Sequence, residues 1–387
     1  MEKNRSPLLH IFLREVAMIP KDHSLLLTLL IAPLLYAFFY GSIYINKEEE
    51  NVKLGLVDDD NTSLSRLLTQ HINNSPVVEI VQFSNLGDAK EQMYQGNCQG
   101  YLYIPNKTEN YLLSLKQANV VMAVNAARFL PSSDLLLNVQ QICLTVGAGV
   151  RLQYFEKSKG LGTESAMQQV MPINLDYHPL FNERSSYGAF LLPGLLALIL
   201  QQTLLIGLSE STAAERQHAR IGLWTRFGAS NAIGGKGLFY LLLYGAYAFF
   251  FLNINFSLLS LPMRGNGVEL AFLILLFILT LIPLAQVIGL CFTSQLICLQ
   301  VMAFSTYPIF LITGYVWPFD SLPLVIQGLS NLLPTTPFLK VYINLVQGGG
   351  ALQDNLAPFF HLLILFAFYS VLCFWRVSKL HHAAKLQ

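Results

Sequence analysis

The residue types that carry catalysis are present in this sequence, but they do not fall into a catalytic pattern. Residues 230–237 (SNAIGGKG) approach a phosphate-binding loop, yet the first position lacks the glycine, and Gly237 stands where Ser or Thr would hold Mg²⁺. The eight histidines show no His-Glu-x-x-His spacing, and neither a Cys-x-x-Cys pair nor a Gly-x-Ser-x-Gly motif occurs. The sequence therefore predicts a protein that is not an enzyme and has no ATP site of its own.

Three consecutive aspartates, Asp58, Asp59 and Asp60, bring together oxygen ligands of the kind that Ca²⁺ and Mg²⁺ prefer. The EF-hand pattern of alternating acids, a glycine and a distal glutamate is absent. The same residues are typical of a turn, and Thr62 or Ser63 behind them can cap a helix. We favour the turn and helix cap over a metal site.

The composition places much of the chain in lipid. It is 53% hydrophobic and 12% charged, with a mean hydropathy of +0.47, whereas a soluble domain carries about a quarter charged residues. A net charge of +1 argues against a nucleic-acid partner. Six stretches without Asp, Glu, Lys or Arg are long enough to cross a bilayer as helices. They are residues 25–44, 187–209, 237–262, 270–291, 296–318 and 356–375.

A seventh apolar segment, residues 319–346, contains Pro323, Pro334, Pro337 and Lys340. Its prolines and its charge argue against a full span, so we predict a re-entrant pair of short helices, in which protein shields the broken backbone. The predicted fold is thus an α-helical polytopic membrane protein with six transmembrane helices plus a re-entrant hairpin. A small α/β extracytoplasmic domain lies between helices 1 and 2.

The charges predict the orientation. The N-terminal segment, the loop after the second span and the tail together hold 11 basic and 5 acidic residues, whereas the insert at 46–186 holds 11 basic and 15 acidic. By the positive-inside rule both termini and the loop at 210–236 are cytoplasmic, and the insert faces outward.

The insert alternates strand and helix patterns, which predicts a small mixed α/β sheet. A long helix is expected to lead back toward the membrane. The predicted strands are 52–57, 77–83, 100–104 and, as a fourth candidate, 111–115; the predicted helices are 62–72, 86–94 and 120–157.

Cys98 and Cys143 are the cysteines of the insert. An outward compartment permits a disulfide between them, but sequence does not show whether they approach within bonding range. A disulfide and two free buried thiols therefore both stay open, with the free thiols favoured.

Polar residues within the spans have two interpretations. Gln201, Gln202 and Gln300 are candidates for a translocation path, because polar groups in hydrocarbon are costly and often mark one. Hydrogen bonds between helices, worth about 0.6–2 kcal/mol each, are the alternative. No span carries Asp, Glu, Lys or Arg, which weighs against a proton- or sodium-coupled carrier.

Two further elements fall on the cytoplasmic side. Residues 7–19 predict a helix lying along the membrane surface, in preference to an extension of the first span, because charges at 21–23 separate the two. Residues 211–226 predict a short charged helix. It either transmits force from a partner protein or is a solvated connector between two spans.

The order of short motifs along nearly the whole chain resembles one family. They are LREV at 13–16, Lys21-Asp22 ahead of a first span with Pro33, VDDDNTS at 57–63, GYLYIP at 100–105, PLFN at 179–182, LPG at 192–194, and GYVWP at 314–318 followed by Pro337. The chain resembles a permease subunit of the type-2 ABC (ATP-binding-cassette) exporters, in the branch with a large extracytoplasmic domain.

The resemblance implies partners and roles. It implies ABC ATP-binding subunits that carry ATP and Mg²⁺, a second permease copy or a paralogue, membrane lipid around the spans, and a bacterial inner-membrane location. The outer domain is implied either to meet a periplasmic adaptor or to act as a vestibule. In this family an acidic–basic motif that ends in Gly-Thr usually follows the second span. Here Glu215-Arg216 is present without the Gly-Thr, which is compatible with a chain that forms one half of a heterodimeric pore. The residues implied in coupling to the ATPase are Glu15, Asp22, Glu215, Arg216 and Arg220.

The predicted organisation follows from these points. Residues 1–23 form a cytoplasmic interfacial helix, 24–45 transmembrane helix 1, 46–186 the extracytoplasmic domain, and 187–387 the remaining helices with a coupling loop at 210–236. The predicted function is ATP-driven export of a hydrophobic or amphipathic substrate. The alternative is a membrane-anchored receptor or scaffold whose outer domain binds a ligand or partner.

Overall fold

The computed structural model describes residues 6–43, 50–171, 180–182, 186–218 and 220–385. The chain divides into two compact units. The helical unit comprises Met1–Ile45 and Pro179–Gln387, and the α/β unit comprises Asn46–His178.

Helices make up most of the described chain. In chain order they are α1 Pro7–Met18, α2 His23–Ile43, α3 Ser63–Asn73, α4 Leu86–Tyr94, α5 Thr108–Leu113, α6 Phe129–Lys159, α7 Thr163–Val170, α8 Tyr187–Gln217, α9 Ile221–Trp224, α10 Ala229–Leu258, α11 Gly267–Gly289, α12 Gln295–Ile312, α13 Leu324–Asn331, α14 Thr335–Ile343 and α15 Leu356–Lys385. The strands are β1 Val52–Asp58, β2 Val78–Gln82, β3 Gly100–Ile104 and β4 Val121–Val124.

Seven helices of the described residues are long and apolar enough to cross a membrane. Six of them, α2, α8, α10, α11, α12 and α15, fall on the six stretches predicted from the sequence. The seventh is α6, which lies in the α/β unit. The chain is therefore a multi-pass helical membrane protein with a small sheet.

Helix α8 is the most buried of these seven helices and lies at the centre of the helical unit. It packs against α11 and α12, and α11 packs in turn against α15. The close approach of α8 and α11 depends on Gly289, because a Cβ there would lie 2.6 Å from Thr212 Cβ and would collide with the backbone oxygen of Ser209. Ser209 also donates a hydrogen bond to the carbonyl of Ala285, at 2.9 Å.

Gly289→Ala is expected to destabilise the helical unit by about 1–3 kcal/mol, since neither helix backbone can move aside without repacking the core. The measurement is the thermal midpoint of the purified full chain. Gly245→Ala in α10 is the matched control, because a Cβ there meets no atom within 4 Å and Ala favours a helix over Gly. Equal midpoints for the two variants would contradict the close approach.

The helices differ from the sequence prediction at two boundaries. Helix α8 continues to Gln217, so the predicted short helix at 211–226 is the end of α8 followed by the four-residue α9. The predicted fifth stretch ends early as a helix, at Ile312, because the chain turns at Gly314 with φ of +83°. Within 319–346 the structure has a 3₁₀ turn and two short helices, α13 and α14.

The α/β unit is a four-stranded sheet of order β2-β1-β3-β4. The β1–β2 and β1–β3 pairs are parallel and β3–β4 is antiparallel. Alternate residues point to opposite faces: Leu102 and Ile104 join the cluster under α3 and α6, whereas Tyr101 packs near Ala89 of α4. The sheet thus has helices on both faces.

The predicted fourth strand at 111–115 is wrong, and the fourth strand is β4 instead. Residues 108–113 form α5 because the carboxylate of Asp60 accepts hydrogen bonds from the backbone N–H groups of Thr108 and Glu109, both at 3.0 Å. The predicted helix over 120–157 likewise begins only at Phe129, after β4.

Two of the three aspartates, Asp58 and Asp60, accept hydrogen bonds in the turn and at a helix start. Asp58 accepts from the N–H groups of Asp60 and Asn61, at 3.1 and 3.0 Å. Thr62 caps α3 through a hydrogen bond from the N–H of Ser65, at 3.3 Å. In the described part of the chain, no group of three or more His, Cys, Asp or Glu side chains is placed to hold a metal ion.

Asp60→Ala is expected to open α5, because two N–H groups lose their acceptor, at a cost of about 1–2 kcal/mol. Hydrogen exchange of the full chain, followed by mass spectrometry, should show roughly tenfold faster exchange over residues 108–113. Asp59→Ala is the control: its carboxylate accepts from the hydroxyl of Tyr103 at 2.8 Å and caps no helix. Equal exchange in both variants would refute the capping role.

Both cysteines of the α/β unit, Cys98 and Cys143, are free thiols in this structure, so no disulfide joins them. Cys98 is buried beside β3, and its burial raises the pKa of the thiol. Cys143 lies on α6, where it packs against the core under the sheet.

Candidate functional site

At one end of the helical unit, charged side chains from three helices meet in the interior. Helix α1 begins with Ser6 as its N-cap and Pro7 as its first residue, and it ends before Pro20. Its buried side is small, consisting of Ile11 and Glu15. We call the following six residues the Lys236 cluster: Arg14 and Glu15 of α1, Ser211 and Glu215 of α8, and Lys236 and Tyr240 of α10.

One carboxylate oxygen of Glu15 is the meeting point of the cluster. Glu15 Oε1 accepts hydrogen bonds from the hydroxyls of Ser211, at 2.5 Å, and Tyr240, at 3.0 Å. The ammonium of Lys236 lies 3.2 Å from the same oxygen. Three donors thus compensate one carboxylate that is 1% exposed, as a buried charge requires.

The second carboxylate belongs to Glu215, which is completely buried. Its Oε2 accepts from Arg14 Nη2 at 2.7 Å. Its Oε1 lies 4.0 Å from Lys236 Nζ, and that ammonium donates to Ser211 Oγ at 2.7 Å. The charged contacts therefore join the three helices in pairs. Arg14 and Glu215 join α1 to α8, Glu215 and Lys236 join α8 to α10, and Lys236 and Glu15 join α10 to α1.

Helix periodicity explains the geometry. Ser211 and Glu215, and likewise Lys236 and Tyr240, are four residues apart and so share one helix face. The two cations, Arg14 and Lys236, balance the two carboxylates, so the buried cluster has no net charge. Trp224 closes one side, with its ring centroid 5.4 Å from the Lys236 ammonium and its indole N–H donating to the carbonyl of Ala232.

A second polar contact lies nearby, at the start of α12. The side-chain amide of Gln295 donates to Asp22 Oδ2 at 2.7 Å and to Glu210 Oε1 at 3.0 Å. Asp22 also caps α2, by accepting from the N–H groups of Ser24 and Leu25. This contact joins α2, α8 and α12 beside the Lys236 cluster.

The structure separates the five predicted coupling residues. Glu15 and Glu215 meet in the Lys236 cluster, and Asp22 lies in the Gln295 contact. Arg216 instead donates to the carbonyl of Leu290 at the end of α11, at 2.6 Å, and Arg220 is exposed. Their role in coupling stays a prediction.

Sequence reasoning missed two of the cluster's charged members, Arg14 and Lys236, as site residues. The signal that could have found Lys236 is the four-residue spacing to Tyr240 on a helix that begins before the apolar stretch. The spacing of Ser211 and Glu215 gives the same signal on α8.

Two of the three candidate pathway glutamines join helices. Gln202 donates to the hydroxyl of Thr306 on α12 at 2.7 Å, and Gln201 accepts from the hydroxyl of Thr335 on α14. Gln300 lies apart from them, exposed on α12. The contacts of Gln201 and Gln202 are those of helix packing, and a role in translocation stays a prediction.

Comparison with known proteins identifies relatives along most of the chain. A family model described as ABC-2 family transporter protein matches residues 23–377. The chain is 20% identical over 349 residues to the protein named probable multidrug ABC transporter permease YbhS of Escherichia coli (strain K12), covering 87% of each chain. The protein of the same name from Escherichia coli O157:H7 matches to the same extent. Arg14 and Glu15 precede the matched region.

Proposed function

Because the chain belongs to the ABC-2 family of transporter proteins, we propose that it is the permease subunit of an exporter whose ATP is hydrolysed by separate ATP-binding subunits. The family match covers 355 of the residues, 23–377, and carries this proposal. Two permeases, either two copies or this chain and a paralogue, would form the pore. ATP and Mg²⁺ would bind only to the partner subunits.

The proposed topology follows the charge distribution. Helices α2, α8, α10, α11, α12 and α15 cross a bacterial inner membrane, with α13 and α14 as a re-entrant pair. Both termini and the Lys236 cluster lie on the cytoplasmic side, where the basic residues concentrate. Helix α6 belongs to the extracytoplasmic domain, because Leu135, Val139 and Val146 on it pack under the sheet.

The Lys236 cluster is the proposed coupling point between the ATPase and the pore. Arg14 is partly exposed, with 19% of its side chain accessible, whereas Glu215 and Lys236 are buried. Force applied to α1 by a partner therefore reaches α8 and α10 through charged contacts. Separating these charges in a buried environment is costly, so the three helices should move together.

The proposed substrate is hydrophobic or amphipathic, and the direction is outward. The name of the Escherichia coli relative, a probable multidrug permease, supports a drug-like or lipid-like molecule. A periplasmic adaptor is a further proposed partner, which would contact the α/β unit.

Mild-detergent purification of the tagged full chain tests the proposal. We expect an ATP-hydrolysing subunit to co-elute, and we expect the reconstituted complex to move hydrophobic dyes only with ATP. A variant of the co-eluting ATPase that binds but does not hydrolyse ATP is the control. Recovery of no ATPase, together with ligand binding to the intact chain alone, would instead favour a receptor or scaffold.

A further inference from the structure

The α/β unit contains a cavity of about 380 Å³ between the sheet and α6. This volume lies within the range of small-molecule sites, roughly 300–1,000 Å³. The sheet side of the cavity is formed by Leu102, Ile104 and Met122, and the opposite side by α6. The cavity lies wholly within one compact unit.

Two neighbouring stripes of α6 explain why the cavity is there. Leu135, Val139 and Val146 pack under the sheet and hold the helix in place, and Val139 and Val146 also border the cavity. The adjacent stripe, at Leu136, Gln140, Cys143 and Gly147, follows helical spacing and lines the cavity. Its residues become small toward the C-terminal end, so α6 cannot fill the space beneath it.

Gly147 shows how open the space is. A Cβ built on Gly147 meets no atom within 4 Å, although the residue is part of the cavity lining. Glycine weakens a helix interior by roughly 1 kcal/mol relative to Ala. The chain thus has a residue that weakens the helix at a position where a side chain would occupy the cavity.

The lining specifies the chemistry of an occupant. No Asp, Glu, Lys or Arg is among the described residues that line the cavity. The hydroxyls of Ser65 and Thr108 already donate to the carbonyls of Thr62 and Pro105. Gln140 is exposed on α6 and lines the cavity, so its amide is available to a polar end of a bound molecule. The cavity opens to solvent on this side, and its mostly apolar lining favours an apolar occupant.

We propose that this cavity binds an alkyl chain, with the polar end of the molecule that carries the chain at Gln140. The free energy comes from apolar surface removed from water on both partners. The proposal rests on the α/β unit alone and holds whether or not the Lys236 cluster couples the chain to an ATPase.

The test uses the full chain in lipid nanodiscs and two photoreactive probes. One is dodecanol carrying a diazirine on its chain, and the other is a phospholipid carrying a diazirine on one acyl chain. Peptide mass spectrometry measures crosslinks in residues 136–147 relative to crosslinks in α12, which reports non-specific contact. We expect the peptide of residues 136–147 to be labelled. An excess of dodecanol without a diazirine should reduce that labelling at least tenfold.

Matched glycine variants locate the site. Gly147→Leu fills the cavity and is expected to abolish the labelling. Gly149→Leu lies two residues away, on the other side of the helix, with open space around it, and should leave the labelling unchanged. Both variants replace Gly by a better helix former. Labelling that persists in Gly147→Leu would overturn the proposal.

A readout on the unmodified chain keeps the proposal testable if Gly147→Leu does not fold. Dodecanol should slow the alkylation of Cys143 by N-ethylmaleimide at least fivefold and leave that of exposed Cys291 unchanged. Labelling by the dodecanol probe alone identifies a free amphiphile as the source of the alkyl chain. Labelling by the phospholipid probe alone identifies a membrane lipid as the source. Labelling by neither probe, or no protection of Cys143, would overturn the proposal.

Discussion

Lys236→Met is expected to destabilise the folded permease by about 3–5 kcal/mol, because it leaves Glu15 and Glu215 buried without their shared cation. Methionine preserves most of the side-chain volume, so the loss is electrostatic and not a cavity effect. The measurement is the thermal midpoint of the detergent-solubilised full chain, read by the fraction that remains monodisperse after heating.

Two comparisons separate this effect from a general loss of charge. Lys379→Met removes an exposed lysine and should shift the midpoint little. The double variant Glu15→Gln/Lys236→Met removes both partners and should cost less than the sum of the single substitutions, because neither charge is then left alone. Additive costs, or a wild-type midpoint for Lys236→Met, would contradict the role of the cluster in the fold.

Arg14→Ala is expected to separate transport from ATP hydrolysis without preventing insertion. The substitution removes the 2.7 Å bond to Glu215, and the contact of Lys236 with Glu15 keeps α1 partly attached. Hydrogen bonds to charged groups contribute about 1.5–3 kcal/mol. The equilibrium constant for the association of α1 with α8 should therefore fall by roughly tenfold or more.

The measurement is ATP-driven dye transport by the reconstituted complex, compared with membrane-inserted protein. Arg14→Lys keeps the charge but loses the planar guanidinium, and it should recover part of the transport. Lys21→Ala, an exposed neighbour on the same segment, is the control and should match wild type. Wild-type transport by Arg14→Ala would remove Arg14 from the coupling path.

The structure alters the expectation for Glu215 and Arg216, which the sequence placed together in one coupling motif. Glu215 is buried between Arg14 and Lys236, whereas Arg216 contacts the end of α11. Reversing the charge of Glu215 would bring three cations together in the interior and disturb the fold. Reversing that of Arg216 removes one hydrogen bond to a carbonyl.

The strand and helix pattern of the α/β unit was largely predictable. Strand β3 and helix α4 have the predicted bounds, since each has an uninterrupted local pattern and a clear stop signal. The segment at 108–113 was not predictable in the same way, because its helix begins at a carboxylate, Asp60, that is 48 residues away in sequence. The hydrogen bonds to Asp60 therefore outweigh the local β-propensity of this segment.

The Lys236 cluster could be predicted only in part for a related reason. Hydropathy ends the second span at the first charge, and it assigns Glu210 and Glu215 to a loop. In the structure α8 continues through them, because their partners come from other helices: Arg14 is 201 residues from Glu215. A charge count distinguishes the two sides of the membrane, but it does not distinguish a solvated charge from a buried pair.

The most direct test of the account is the ratio of dye transported to ATP hydrolysed by the reconstituted complex, measured for wild type and for Arg14→Ala. If the Lys236 cluster couples the ATPase to the pore, ATP hydrolysis should stay within about twofold of wild type while the ratio falls at least tenfold, the loss that about 1.4 kcal/mol of coupling free energy produces. An unchanged ratio in correctly inserted Arg14→Ala would contradict the coupling role of the cluster.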